Sequence, residues 1–304
     1  MNFERLFHIF RKVSTKVSMN VKTAEQVNTT MYTLNTRIGS GSFGSVWHAT
    51  RHSDAREVAI KREHADTKLP QLRYEYRVMT ELREASCLCV PRLFGRYVDD
   101  QNNECVAMEL LGPDLQTLLK KKRLPLKRVT TQIGPRYIRA LRDIHNANYL
   151  HRDIKPRNLV TTYKGHGYRL IDYGLAKKYR NASGEHTQPQ KNKPFVGTPR
   201  FASISKHFGF ESSRRDDIES LGYTLVYLAN GGSLPWQGMP SSTIENIRAL
   251  GHVKQNTSVD ELCKGLPSCY RLYMNHVKGL GFSDRPDYTY LEQLFTTSLD
   301  VVVA

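Results

Sequence analysis

Long apolar runs, cysteine pairs at metal-binding spacing and any surplus of acidic residues are all missing from this 304-residue chain. No stretch approaches the roughly 18 uninterrupted apolar residues that cross a bilayer, so no helical membrane span is expected. The apolar patch at 6–10 is interrupted by His8 and is too short for a secretory core, so no signal peptide is expected either. Five cysteines (Cys87, Cys89, Cys105, Cys263 and Cys269) form no C-x-x-C pair, and their odd number argues against a disulfide framework. Reduced thiols in a cytoplasmic or nuclear compartment are the expectation. Only 29 Asp and Glu oppose 45 Lys and Arg, a net charge of +16. Such a field attracts nucleic acid, anionic membrane or acidic protein segments, and charge alone does not choose among them. At 39% hydrophobic and 24% charged, the chain can bury an ordinary core, which excludes wholesale disorder and collagen.

Texture changes along the chain. In residues 1–30, Phe3, Leu6, Phe7 and Phe10 fall at helical spacing among Arg5, Arg11, Lys12 and Lys16, and the pattern then dissolves. This reads as a basic N-terminal extension suited to weak docking, through residues 1–20, on a membrane surface or on the body of the protein itself. From Tyr32 the chain turns β-like, with three short antiparallel strands ending near Ile38, Ala49 and Lys61. Leu72, Tyr76, Met79 and Leu82 predict an amphipathic helix over 69–85, and more strand follows at 92–98 and 105–110. After Gly112-Pro113 the period becomes helical, with long helices expected near 126–146, 216–229, 267–280 and 288–297 and a polar, mobile loop at 181–193. The fold class is therefore α+β, with a small β-rich lobe at about 31–110 and a larger helical lobe at about 114–299.

Four motifs carry chemistry. Ile38 through Val46 reads G-x-G-x-x-G-x-V between strands, and Gly39, Gly41 and Gly44 let backbone amides approach phosphate oxygens that a Cβ would hold away. A dinucleotide fingerprint would open a helix at the last glycine, whereas Val46-Trp47-His48-Ala49 continues as strand. Lys61 closes Val-Ala-Ile-Lys, where an ammonium can hold phosphates while pairing with a helix glutamate; Glu75 is the candidate partner. His151-Arg152-Asp153-Ile154-Lys155-Pro156-Arg157-Asn158 places a proton acceptor, Asp153, and a metal-binding amide, Asn158, in one loop. Lys155 would neutralise a transferring phosphoryl group, His151 reads as a packed histidine, and Arg152 is expected to pair with nearby acids. Asp172, in Asp-Tyr-Gly, supplies a second hard oxygen ligand, and the phenol of Tyr173 needs a partner if buried.

With these four motifs in order, the chain resembles a eukaryotic protein kinase over about 32–295, and its C-terminal half resembles the casein kinase I family. The specific marks are MELLGP at 108–113, IDYGLAKKY at 171–179, GTPRFASI at 197–204, SRRDDIESLGY at 213–223 and SLPWQG at 233–238. The resemblance implies a two-lobed kinase fold that transfers the γ-phosphate of ATP, with Mg2+, to Ser or Thr hydroxyls. It implies an adenine slot walled by Ile38, Val46, Ala59, Val160 and Ile171, with Met108 as gatekeeper and the base bonded by the Glu109 carbonyl and Leu111 amide. It also implies that Asp217 is the buried anchor of the catalytic loop, and that acidic or phosphorylated protein segments are recognised through Arg200 and a later basic cluster.

Two departures stand out. Where that cluster is expected the chain reads Ile244-Glu245-Asn246-Ile247-Arg248, and Arg157 replaces the family's usual Asp or other polar residue. No nucleic-acid motif accompanies the positive charge, so no specific nucleic-acid binding is expected, and a monomer is the expected state. The alternative to an active kinase is a pseudokinase scaffold, opposed by the fact that every catalytic position is filled.

Overall fold

The computed structural model describes residues 31–41, 44–165 and 167–297, so the expected docking extension at 1–30 lies outside the described residues. Strands β1 (Tyr32–Gly41), β2 (Gly44–Arg51), β3 (Glu57–Glu63), β4 (Leu93–Val98) and β5 (Glu104–Glu109) form one antiparallel sheet in the order β1-β2-β3-β5-β4. The branched residues Val58 and Ile60 of β3 bury fully, and with Tyr32, Ala49, Tyr97 and Ala107 they make a small cluster of their own. The first helix among the described residues, α1 (Leu72–Glu84), starts two residues after Pro70, which has no N–H to add to a helical ladder. Its buried stripe is Leu72, Glu75, Val78, Met79 and Leu82, so Tyr76 is only half-buried and a carboxylate takes an inward position.

Beyond the sheet, β6 (Leu111–Asp114) and α2 (Leu115–Lys120) lead into the helical lobe. The helix expected over 126–146 is interrupted. A short turn at Leu126–Arg128 passes into a wide, π-type turn at Val129–Ile133 before α3 (Gly134–Asn146) begins. Pro135 has no N–H to continue a regular ladder, and a Cβ on Gly134 would press to 3.2 Å on the ring of Phe295. Strands β7 (Tyr149–Leu150), β8 (Leu159–Thr162), β9 (Tyr168–Leu170) and β10 (Lys177–Lys178) frame the next loops, followed by α4 (Ile204–His207) and α5 (Arg214–Ala229).

Helix α5 is the axis of this lobe. Only Arg215, Glu219 and Ala229 escape full burial, so its sequence shows little amphipathic pattern, as a helix surrounded by protein requires. A capping box between Ser213 and Asp216 starts it. Helix α6 (Ile244–Asn256) packs on α4, α7 (Val259–Leu262) on α8 (Ser268–Lys278), α8 on α5, and α9 (Tyr288–Thr296) on α3 and α8, and one continuous core runs from Val78 of α1 to Phe295 of α9. Periodicity alone does not single out α6, because its inward residues are Leu250, Gly251 and Lys254 while Ile244 is exposed. The loop at 181–193 is irregular as expected, but backbone bonds tie Thr187 to Tyr179, Gln190 to Glu211 and Lys193 to Gly209. All five cysteines are free, and no helix among the described residues is long and apolar enough to cross a membrane.

Candidate active site

The loop after β7 is shaped from a distance. Asp217, in the first turn of α5, accepts the backbone N–H of His151 at 2.7 Å and of Arg152 at 2.8 Å, and His145 of α3 lies 3.1 Å from the same carboxylate. Burial opposes the charge of Asp217, but the His145 bond and the loop amides outweigh it and hold its pKa below the usual carboxylate value. Arg152 takes a left-handed backbone angle (φ +70°), a conformation that a β-carbon disfavours and these bonds sustain. Its guanidinium donates to the Leu175 carbonyl at 2.6 Å, rather than pairing with an acid as the sequence suggested. The Lys206 ammonium, itself buried, donates to the Arg152 carbonyl at 2.6 Å. His151 is fully buried and within 3.0 Å of the Ile171 carbonyl, the packed histidine that was expected.

So held, the loop presents Asp153. Its carboxylate receives Lys155 Nζ at 2.5 Å and Thr198 Oγ1 at 2.8 Å, while Lys155 also reaches Thr198 at 3.2 Å. Desolvation works against its charge, but Lys155 and the Thr198 bond leave its pKa lowered, so the group is an ionised acceptor at neutral pH. Asn158 Nδ2 donates to the Asp153 carbonyl at 2.8 Å, which turns the amide oxygen away as a free acceptor.

Across the cleft, Lys61 of β3 meets Glu75 of α1 at 2.5 Å and stands 3.9 Å from Asp172. Glu75 is buried on the inward stripe of α1, so the ion pair fixes that helix against the sheet. Burial disfavours the Lys61 charge, yet Glu75 and Asp172 raise its pKa overall. Asp172 has φ +71° and a half-exposed carboxylate. One carboxylate and one amide oxygen, with room for phosphate oxygens and water, suit a hard divalent cation such as Mg2+. Among the described residues no group of three or more His, Cys, Asp or Glu gathers as a metal cage.

The expected nucleotide slot is assembled from strand register. Gly39 pairs with Val46, Val46 with Lys61, and Ala59 with Met108. Val160, on β8, pairs with Asp114 and with Arg169, and the Ile171 N–H bonds the Asn158 carbonyl at 3.1 Å. Arg169 grips the Glu109 carboxylate through two bonds of 3.0 Å, holding the segment that leads to Leu111. Ile38 is more than half exposed at the lip. Gly41 pairs with Gly44, while Ser42 and Phe43 lie outside the described residues. Gly44 has a structural reason besides phosphate approach, because a Cβ there would collide with the Arg62 carbonyl of β3.

Comparison with family models matches residues 32–272 to the protein kinase domain. The chain belongs to the protein kinase family. In this kinase chain the residues singled out from sequence form two bonded groups, Lys61 with Glu75 and Asp172, and Asp153 with Lys155 and Asn158, and Arg200 stands on the segment that also carries Thr198. Two arginines near Arg200 in sequence are committed elsewhere: Arg214 is buried and donates to the Ser283 carbonyl at 2.5 Å, and Arg215 donates to Leu280 at 2.9 Å. Tyr173 is fully buried, and its hydroxyl, beside the Cys89 thiol, makes no hydrogen bond.

Sequence reasoning overlooked four residues. Thr198 bridges the Asp153–Lys155 pair. Lys206 was not assigned its carbonyl. Lys254, fully buried against Trp236 and Tyr223, donates to the carbonyls of Pro199 at 2.8 Å and Ala202 at 2.6 Å, and Trp236 Nε1 donates to the Arg200 carbonyl at 2.9 Å. Glu211, buried, draws in Lys177 at 2.9 Å and Lys193 at 3.4 Å from the two ends of the intervening loop. The readable signal for Lys254 is a lysine four residues after Leu250, on the face that packs inward.

Proposed function

We propose that the protein is a serine/threonine kinase of the casein kinase I type, transferring the ATP γ-phosphate to hydroxyls in acidic segments of protein substrates. The observation that carries the reading is the closed Lys61–Glu75 pair, with Asp172 beside it, together with an ionised Asp153 already bonded to Lys155 and Thr198. In this reading the apolar residues from Ile38 to Ile171 hold the adenine, and Lys61 holds the α- and β-phosphates. Asp153 orients the acceptor hydroxyl and takes its proton, while Lys155 offsets charge on the transferring group. Asn158 and Asp172 would hold Mg2+, which neutralises charge on the phosphate oxygens. Lys155, two residues after Asp153, supports Ser/Thr rather than Tyr acceptors through the casein kinase I resemblance.

The free thiols support a reducing, cytoplasmic or nuclear setting. A monomer is sufficient for this chemistry, because every residue invoked comes from one chain. The test is γ-phosphate transfer to a serine peptide by the purified protein with ATP and Mg2+. The Asp153→Asn variant should lose more than about a hundredfold in kcat while retaining nucleotide binding. Nucleotide binding without transfer by the unaltered protein would instead make it a scaffold.

A further inference from the structure

Behind Lys155 and Thr198, the partners of Asp153, lies a cavity of about 280 Å3. Lys155 and Thr198, both bonded to the Asp153 carboxylate, form the wall nearest the reacting centre. Trp236, Met239 and Leu250 make an apolar wall. The remaining charge is Arg157 and Arg200, and no Asp or Glu lines the cavity.

These two guanidiniums differ from the other cations around the site. The ammonium of Lys155 is occupied by Asp153 and Thr198. Arg157 and Arg200 make no side-chain hydrogen bond or ion pair with any described residue, and Arg200 has only the ring of Phe201 at 6.0 Å. A lone surface arginine is ordinarily just solvated. Two of them on one cavity, against an apolar wall and without a counter-charge, leave a site whose potential is unbalanced. Their backbones are also fixed. The Arg200 carbonyl is gripped by Trp236, and the turn bearing Arg157 is closed by the Asn158 N–H on the Lys155 carbonyl at 3.0 Å. Fixed backbones lower the entropy lost when a planar guanidinium forks onto an anion.

We propose that Arg157 is a specificity-determining residue: with Arg200 it takes one anionic side chain, carboxylate or phosphate, of the acceptor protein. The inference rests on the protein-kinase reading of the site. It goes beyond that reading because Arg157 is a departure of this chain from the family it resembles, so the selectivity it confers is the chain's own. It also accounts for the missing basic cluster: α6 carries Ile244 and Ile247 there, while Arg157 approaches the cavity from the catalytic-loop side.

The experiment moves a single Glu, and in parallel a single phosphoserine, through the positions flanking one acceptor serine in a neutral peptide. The ratio of kcat/KM is taken against the same peptide with Gln. At the best position the unaltered protein should favour an anion about tenfold. Arg157→Glu should abolish that ratio and create a preference for Lys at the same position, a reversal that a merely structural role would not produce. Arg157→Gln should abolish the ratio without reversal, which keeps the test valid if the glutamate variant folds poorly. Loss for Glu peptides only, or for phosphopeptides only, supports the site and names the anion. An unchanged ratio at every position in both variants would overturn the inference while leaving the kinase reading intact. If the unaltered protein phosphorylates none of the peptides, the kinase reading fails and the inference with it.

Discussion

The loop at 151–158 and the glycine motif of β1 and β2 are held in opposite ways. The loop is gripped by side chains far away in sequence: Asp217 on two of its amides, Lys206 on the Arg152 carbonyl and Thr198 on its carboxylate. The glycine motif is held by neighbours, through the β1–β2 ladder and the contact of Gly44 with β3. Positional accuracy in this loop comes from buried polar anchors, whereas the strands of the glycine motif need only pair with one another and with β3.

The largest effect should come from removing the main anchor. Asp217→Ala leaves two buried amides and His145 without their acceptor, and it should cost about 3–5 kcal/mol in a urea titration. A loss below about 1 kcal/mol would mean that the loop is shaped locally after all. A second, smaller effect concerns pH. His207, buried beneath α6 beside Lys254, has its pKa pushed down to about 3, chiefly by burial. In the unfolded chain it titrates near its ordinary value of 6.5, so between those values the unfolded state binds the extra proton. Stability should therefore rise with pH across that window, and fall by at most about 1.4 kcal/mol for each unit of acidification. Melts of His207→Gln should show a flatter profile. The glycine motif gives the mildest and sharpest contrast. Gly44→Ala meets the Arg62 backbone and should cost about 1–3 kcal/mol, because strands β2 and β3 must separate. Gly39→Ala meets only Val46, at 3.6 Å, and should change the melting midpoint little. Equal costs for the two would remove the claim that crowding by β3 fixes Gly44.

Much of this arrangement was legible before any coordinates. The five strands follow short branched runs between turn formers, and Lys61, Glu75, Asp153, Asn158 and Asp172 were identifiable because their motifs preserve order and spacing. Other features were not legible, for a common physical reason. Lys206 and Lys254 donate to carbonyls 54 and 52 residues away, and a buried lysine looks like a solvated one until its acceptor is in place. Glu211 likewise reads as a surface acid until Lys177 and Lys193 converge on it. A Cβ on Gly134 would press on the ring of Phe295, more than a hundred residues onward, and helical periodicity across 126–146 gave no sign of the wide turn before it. Arg152 was misjudged because a carbonyl was closer than any carboxylate.

The anchoring by Asp217 also bears on the order in which the protein becomes competent during synthesis. Its two amide partners lie 66 and 65 residues earlier in the chain. A growing chain therefore exposes Lys61, Glu75 and the whole loop from His151 to Asn158 well before the carboxylate that shapes the loop has been made. Until α5 emerges and docks, the amides of His151 and Arg152 lack the carboxylate that helps sustain the left-handed backbone of Arg152. Chains interrupted between Gly174 and Asp217 would carry all four motifs without the carboxylate that shapes the loop, so this contact separates a finished molecule from a fragment.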